Sequence, residues 1–327
     1  MTLLCPACRG GLVSRDSTLS CPDCGRAFGC EAGIPLLFLP NDWDESKPDV
    51  TDAIKCFYEE TPFPNYEDAD SVWRLKEKAE KGVFARLLDE QIPAGARVLE
   101  AGCGTGQLSN FLGIRAGRTV FGTDLCLNSL KLAEGFRSRN KLDNVRFLQM
   151  NLFRPVFAPD SFDVVICNGV LHHTSDPFLG FQTLAGLVRP GGVIVIELYN
   201  TWGRLMTDLR RRIFRLTGNR FQSLDPRIRK DPTSALRKKT WFLDQYKNPH
   251  ESKHTIGEVL GWFDRCGVEF LSSIPKAVAF ETFSGIEKLF DAHPPGSRLD
   301  HALLQLGLLF SGGREGGFFV MIGRYPK

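Results

Sequence analysis

Ala96-Arg-Val-Leu-Glu100-Ala-Gly102-Cys-Gly104-Thr-Gly106 is the stretch whose reading decides the fold. Ala96 to Glu100 reads as a short buried strand, set off upstream by Pro93-Ala-Gly95, and Gln107 to Leu112 begins a helix. Glycines at a strand-to-helix turn let the backbone come close to a bound nucleotide. Thr119 to Asp124 is the second strand. It ends in an acid about twenty residues past the loop, where a carboxylate can accept from both ribose hydroxyls.

Downstream the alternation continues. A helix runs from Ser129 to Arg139, a strand from Val145 to Gln149, a strand from Val164 to Cys167, and a helix from about Pro177 to Arg189-Pro-Gly-Gly192. The apolar strand Val193 to Leu198 follows. Strands and helices alternating at this length predict an α/β fold with a parallel sheet covered on both faces. The ligand then lies at the carboxyl ends of the central strands, which carry Glu100, Asp124, Asn151 and Asn168.

Up to this point a dinucleotide dehydrogenase and a methyltransferase fit equally. The full set of motifs separates them: Val98-Leu-Glu-Ala-Gly-Cys-Gly-Thr-Gly106, Gly122-Thr-Asp124, Ser161-Phe-Asp-Val-Val165, Asn168-Gly-Val-Leu-His-His-Thr174 and Leu187-Val-Arg-Pro-Gly-Gly-Val193. Across about residues 96–200 the chain resembles the class I S-adenosylmethionine-dependent methyltransferases, of the methyltransferase type 11 kind. Its Gly-x-Gly-x-Gly spacing matches them better than the dinucleotide pattern. The resemblance implies a Rossmann-like seven-stranded sheet, mostly parallel, with the last strand antiparallel. It implies that Glu100 and Gly102 to Gly106 surround the methionine part of S-adenosylmethionine, that Asp124 binds the ribose, and that Asn151 and Leu152 flank the adenine. Members often have Asp where this chain has Asn151, whose side chain can still accept from an amino group. The expected cofactor set is thus Glu100, Ala101, Gly102, Cys103, Gly104, Gly106 and Gln107 from the loop. Asp124, Leu125, Asn151, Leu152, Asn168 and Gly169 join it from the other strand ends, and Tyr58 from the N-terminal arm.

The first forty residues have a separate logic. Cys5-Pro-Ala-Cys8 and Cys21-Pro-Asp-Cys24 are two knuckles twelve residues apart. Each offers two thiolates from one tight turn, the arrangement of a closed structural zinc site with no open catalytic position. A segment this short cannot bury enough surface alone, so the metal would act as its core. Cys30 reads as a packed thiol. The stretch also resembles the zinc ribbons of the tRNA-methyltransferase activator family, through Cys5-Pro-Ala-Cys8-Arg-Gly-Gly-Leu12, Cys21-Pro-Asp-Cys24-Gly25 and Gly33-Ile-Pro-Leu-Leu-Phe38. That resemblance covers only these residues. The reading is a zinc ribbon over 1–40, a linker and arm over 41–71, and a catalytic domain over 72–327. Within the arm, Phe57 to Tyr66 is too aromatic for a plain linker and is either packed on the next domain or a lid over a pocket.

Residues 201–250 exceed a simple connection and are rich in arginine, with Leu205, Leu209 and Ile213 at helical spacing. They read as a helical cap; a site for anionic substrate groups and a basic face toward a membrane or nucleic acid are the alternatives. For catalysis, the imidazole of His172 and the polar residues Tyr246, His250 and His254 are the candidates to orient or deprotonate an acceptor. Thr255 with Glu258 reads as a capping box for the helix Ile256 to Cys266. Strands Val268 to Ile274 and Phe318 to Ile322 complete the sheet, and Phe283 to Phe290 and Leu299 to Phe310 read as two apolar helices.

A net charge of +3 says little about partners. No apolar run reaches the roughly 20 residues of a membrane span. The N-terminus has no secretory pattern. Ten cysteines, four of them in the knuckles, suit a reducing, cytoplasmic setting. The expected function is methyl transfer to a small-molecule acceptor that is anionic, sugar-like or lipid-linked. Methylation of RNA through the ribbon and basic insert, and a non-catalytic cofactor-binding module, are the competing readings. No RNA-recognition signature such as an RRM or KH motif is visible, so nucleic acid is not the favoured partner.

Overall fold

The computed structural model describes residues 1–15, 18–43, 48–64, 71–230, 235–315 and 317–327. The expected stretches around Asp44–Lys47, Asn65–Asp70 and Asp231–Ser234 lie outside the described residues. In chain order the elements begin with five short strands, β1 (Val13–Arg15), β2 (Thr18–Ser20), β3 (Ala27–Phe28), β4 (Cys30–Glu31) and β5 (Ile34–Leu37). Three helices follow, α1 (Thr51–Glu60), α2 (Val72–Lys81) and α3 (Val83–Gln91). The alternating part runs β6 (Arg97–Ala101), α4 (Gln107–Gly113), β7 (Thr119–Asp124), α5 (Leu127–Arg139), β8 (Val145–Met150), β9 (Phe162–Asn168), α6 (Pro177–Ala185) and β10 (Val188–Tyr199). Then come α7 (Leu205–Leu216), α8 (Pro226–Lys230), α9 (Ala235–Lys247), α10 (Ile256–Cys266), β11 (Glu269–Ile274), α11 (Arg298–Glu315) and β12 (Phe318–Arg324).

Nine strands form one sheet in the order β11-β12-β10-β9-β6-β7-β8-β5-β4. The run from β11 to β8 is the expected seven-stranded sheet, and β12 is antiparallel to both its neighbours. Two further strands extend it at the β8 edge. They come from the first forty residues: β5 pairs parallel with β8, Leu36 opposite Gln149 and Leu37 opposite Met150, and β4 folds back on β5. The other strands of that region, β1 to β3, make a small antiparallel sheet.

Two apolar layers cover the sheet. One packs α3, α4 and α5 through Leu88, Phe111, Leu130 and Phe136. The other packs α6 and α10 through Phe181, Trp262 and Phe263, and runs without a break into Cys5, Leu12 and Phe28. The N-terminal segment therefore shares the main core. Arg9 fastens it further, donating to the carbonyls of Pro155 and Phe157, while Leu4 N–H donates to Val156 O at 2.8 Å.

Several boundaries differ from the sequence reading. The helical stretch over 72–91 is broken at Gly82, which ends α2 and precedes α3. The helix from Pro177 stops at Ala185, because Val188 already pairs with Phe162 as β10 begins. Phe283 to Phe290 is irregular rather than helical, whereas Leu299 to Phe310 lies within α11. The capping box of Thr255 and Glu258 is present, and Gly267 ends α10 in the left-handed conformation at φ 66°.

Candidate active site

A cavity of about 360 Å³ opens over the carboxyl ends of the central strands. Its first half is backbone. Gly102, Gly104 and Gly106 all have positive φ (73°, 52° and 71°), which only glycine adopts without strain. At Gly104 a Cβ would sit 2.7 Å from Phe63 O. The bare position thus lets the arm close over the loop, where Thr105 Oγ donates to Pro64 O at 2.5 Å. Gly106 faces away from the cavity, toward Ala133 and Phe147, so its role is close packing of α4. Asp124 accepts from Gly104 N–H and from Cys126 N–H, both at 2.8 Å, which ties the end of β7 to the loop. Burial pushes its carboxyl up to about 6, and pushes Glu100 up to about 7 although Ser109 Oγ donates to it.

The arm is the second wall. Thr51, Ile54, Tyr58, Phe63 and Pro64 line the cavity, and Glu59 fixes α1 in place by accepting from Leu127 N–H (2.8 Å) and Asn128 N–H (2.9 Å) at the start of α5. The third wall is the cap. Tyr58 OH donates to Asp244 Oδ1 at 2.8 Å, Gln245 Nε2 donates to Asp244 Oδ2 (2.8 Å) and Tyr199 OH (3.0 Å), and Arg204 Nη1 donates to Gln245 Oε1 at 2.6 Å. The chain of bonds ends on a buried ion pair, Arg204 with Glu251 at 2.5 Å, which Arg211 shares at 2.8 Å. Arm, sheet and cap are locked together through this network of buried polar groups.

Of the residues expected to contact a cofactor, Tyr58, Glu100, Gly102, Cys103, Gly104 and Gln107 line the cavity. So do Asp124, Leu125, Asn151, Leu152, Asn168 and Gly169. Ala101 and Gly106 do not. The Asn151 side chain also has partners of its own. Its Nδ2 donates to Leu39 O (2.9 Å) and Asn41 Oδ1 (2.8 Å), and its Oδ1 accepts from Phe153 N–H (3.0 Å). The amide is occupied in holding the chain that leaves β5. A carboxylate could not donate there, which accounts for the departure from Asp.

None of the four residues expected to handle the acceptor proton lines this cavity. His172 is fully buried behind Tyr199, ring centroids 3.9 Å apart, and neither ring nitrogen has a partner among the described residues. Burial lowers its pKa well below the usual range, so it stays neutral. Its neighbour His173 is the one that reaches the cavity, its Nδ1 2.7 Å from His250 O. His250 contributes that carbonyl. Tyr246 donates to Asp225 at 2.6 Å inside a cluster with Phe214 and Phe242. His254 sits between Ser252 Oγ and Glu258 Oε1, both at 2.9 Å. Adjacent histidines and polar clusters carry no facing information in sequence, so local composition misled. The residues missed are Glu197, at the end of β10, and Asp244, on α9. An acid inside an otherwise apolar strand was the available signal for Glu197.

Four carboxylates (Glu100, Asp124, Glu197 and Asp244) line the cavity, and among the described residues no lysine or arginine does. The field suits a cationic ligand. In the N-terminal region, the four sulfurs of Cys5, Cys8, Cys21 and Cys24 lie within 4.8 Å of one another, a donor set that fits a tetrahedral thiophilic metal.

The profile of the methyltransferase-domain family matches residues 99–196. The chain is 28% identical over 251 residues to an uncharacterized protein of Synechococcus sp., covering 68% of this chain and 60% of that one. It is 36% identical over 107 residues to a ubiquinone biosynthesis O-methyltransferase of Paracidovorax citrulli, covering 32% of this chain and 44% of the relative. The chain thus spans about half the length of the curated relatives it matches. Among solved structures, a chain of the complex between the Haloferax volcanii Trm112 methyltransferase activator and a methyltransferase has a TM-score of 0.51 at 14% identity, over 84% of this chain and 98% of that one. PKMT2 from Rickettsia typhi in complex with AdoHcy has a TM-score of 0.51 at 16% identity, over 76% and 53%. Residues 99–196 are a methyltransferase domain, and the sheet built around them has the class I S-adenosylmethionine-dependent methyltransferase fold.

Proposed function

We propose that the protein transfers the methyl group of S-adenosylmethionine to a small lipid-linked acceptor, and that its four N-terminal thiolates hold a structural zinc ion. The observation that carries the first part is the junction of Asp124 with the glycine loop, in a cavity lined by four acids and, among the described residues, by no lysine or arginine. The bound sulfonium supplies a methyl group that is already electrophilic. The chain's own contribution is to bind, align and exclude water. Asp124 and Glu100 would hold the nucleoside and amino-acid ends. The arm, through Phe63 and Pro64, would close the loop side, and the cap would close the other.

The choice of acceptor rests on two helices that turn apolar side chains outward. Leu205, Leu209 and Leu216 of α7 are 41%, 49% and 86% exposed, and Leu299, Leu303, Leu306 and Phe310 of α11 repeat at helical spacing, 38–78% exposed. The two helices touch, and on α7 Arg212 falls within the row while Arg215 lies beside it. Exposed apolar area interspersed with arginine suits an anionic lipid surface. The names of the ubiquinone-pathway relatives agree with a lipid-linked substrate. No helix among the described residues is long and apolar enough to cross a membrane, so contact there would be peripheral. The RNA reading is weaker, because arginines of the insert are engaged internally: Arg204 and Arg211 on Glu251, Arg227 over Trp241.

The test is transfer of isotopic methyl label from S-adenosylmethionine into cell extracts split into lipid, polar and RNA fractions. Label in the lipid fraction, with co-sedimentation on anionic but not neutral vesicles, is expected. Label confined to RNA, or none in any fraction, would overturn the reading.

A further inference from the structure

The cavity divides along the sheet. The glycine loop at the end of β6, Asp124 at the end of β7 and Asn151 after β8 occupy one side. A nucleoside lying across those three strands leaves the ends of β9 and β10 for the other reactant. Asn168 and Glu197 stand there side by side, paired in the parallel register of β9 and β10, and both line the cavity.

Every other titratable group lining the cavity on this side is engaged. Tyr58 donates to Asp244, both oxygens of Asp244 accept, the Tyr199 hydroxyl accepts from Gln245, and His173 is bonded to His250 O. On the nucleoside side, Glu100 is held by Ser109, and Asp124 by two backbone N–H groups. Only burial and the charge of Arg227 act on the Glu197 carboxyl, with no hydrogen bond among the described residues, and Asn168 Oδ1 is buried with no partner among them. Two adjacent polar groups with unused hydrogen-bonding capacity, facing the cavity, are where a polar ligand group fits.

We propose that Asn168 and Glu197 form the acceptor subsite, that Asn168 orients a protic acceptor group, an alcohol, phenol or ammonium, and that Glu197 is the base that takes its proton. This rests on the methyltransferase reading. In the step, the acceptor's O–H or N–H bond breaks and its proton moves to the Glu197 carboxylate. The freed electron pair forms the bond to the methyl carbon, and the carbon–sulfur bond breaks with its pair going to sulfur, so the sulfonium charge is neutralised. Burial supports the assignment by pushing Glu197 up to about 7, which is where a base is most effective at neutral pH. Arg227 of α8 acts on it in the opposite direction. An acceptor whose nucleophilic atom is itself an anion is disfavoured, since Glu197 and Asp244 would repel it.

The experiment compares wild-type protein with Glu197→Gln and Glu197→Asp, using S-adenosylhomocysteine as the binding probe and methyl-labelled S-adenosylmethionine with lipid extract as the activity probe. Infrared difference spectra of wild-type minus Glu197→Gln should show a protonated carboxyl that disappears as pH rises through about 7. Glu197→Gln should bind S-adenosylhomocysteine within threefold of wild type and lose about 10²- to 10⁴-fold in transfer. The wild-type rate should rise with pH through that same carboxyl, the glutamine variant's should be flat, and Glu197→Asp should restore part of the pH-dependent rate. A glutamine variant that transfers label at a third or more of the wild-type rate would overturn the proposal. So would the absence of the infrared band. Wild-type protein that fails to bind S-adenosylhomocysteine would instead bring down the methyltransferase reading beneath it.

Discussion

The two halves of the cavity are built differently. The half over β6, β7 and β8 is made of backbone and of side chains at the ends of consecutive strands, so its parts lie within a few residues of a turn. The half under the cap is made of side chains from distant segments: Tyr58, Tyr199, Arg204, Asp244 and Glu251 meet only in the folded chain. The first half is rigid because glycine geometry and the sheet fix it. The second is rigid because a hydrogen-bond network fixes it. Binding the methyl donor should depend on the first half, and choosing and activating the acceptor on the second.

If that division holds, removing the anchor of the cap should cost much stability and little cofactor affinity. Glu251→Gln leaves the fully buried Arg204 without its charge partner and should cost about 3–5 kcal/mol in urea unfolding. Under folding conditions S-adenosylhomocysteine affinity should change less than about fivefold. Equal losses in both measurements would show the halves to be one unit.

Gly104→Ala acts at the seam between loop and arm. A Cβ at φ 52°, pressed 2.7 Å from Phe63 O, should lower S-adenosylhomocysteine affinity by about ten- to a hundredfold, a strain of roughly 1–3 kcal/mol, read by calorimetry. An unchanged affinity would show that the arm does not close on the bound ligand.

Charge gives a third comparison. Glu100, Asp124 and Glu197 sit at about 7, 6 and 7 in the fold, against 4.5, 3.8 and 4.5 as ordinary values. Each carboxyl is held more tightly protonated in the fold than in the unfolded chain. Their contribution to stability is therefore full below about pH 4 and lost as pH rises through 6 to 7. The ligand-free protein should lose stability steadily between pH 5 and 8, and S-adenosylmethionine should restore more of it at pH 8 than S-adenosylhomocysteine does. A flat melting profile across that range would remove the acidic-cavity argument.

The smallest effect tests the tie between the N-terminal region and the pocket. Asn151→Asp removes the donor to Leu39 O and Asn41 Oδ1 and should cost about 1 kcal/mol, with faster amide exchange over residues 36–39. Unaltered exchange there would show that β5 holds its register without this side chain.

The same contrast explains what was legible in sequence. Strand-loop-helix alternation, the glycine loop, Asp124 and the cysteine knuckles are local patterns, so the alternating fold and the place of the cavity at the strand ends could be read from spacing, and the rest of the motifs carried the resemblance to methyltransferases. The docking of β5 on β8 could not, because Ile34-Pro-Leu-Leu37 is an ordinary apolar run until a partner strand is present. The four residues expected to handle the acceptor proton fall outside the cavity lining for the same reason. His172 and His173 are neighbours with opposite facings, and Tyr246 stands two residues from Asp244 yet belongs to another cluster. Facing in a cap is set by tertiary packing, which no spacing encodes.

The central claim is that the bare-backbone half of the cavity holds the methyl donor. Calorimetry of S-adenosylhomocysteine and of NAD against the metal-loaded chain and its Asp124→Ala variant tests it most directly. The account predicts one-to-one binding of S-adenosylhomocysteine to the wild type, at least a hundredfold loss in the variant, and no heat with NAD. Tight NAD binding with no response to S-adenosylhomocysteine would contradict it.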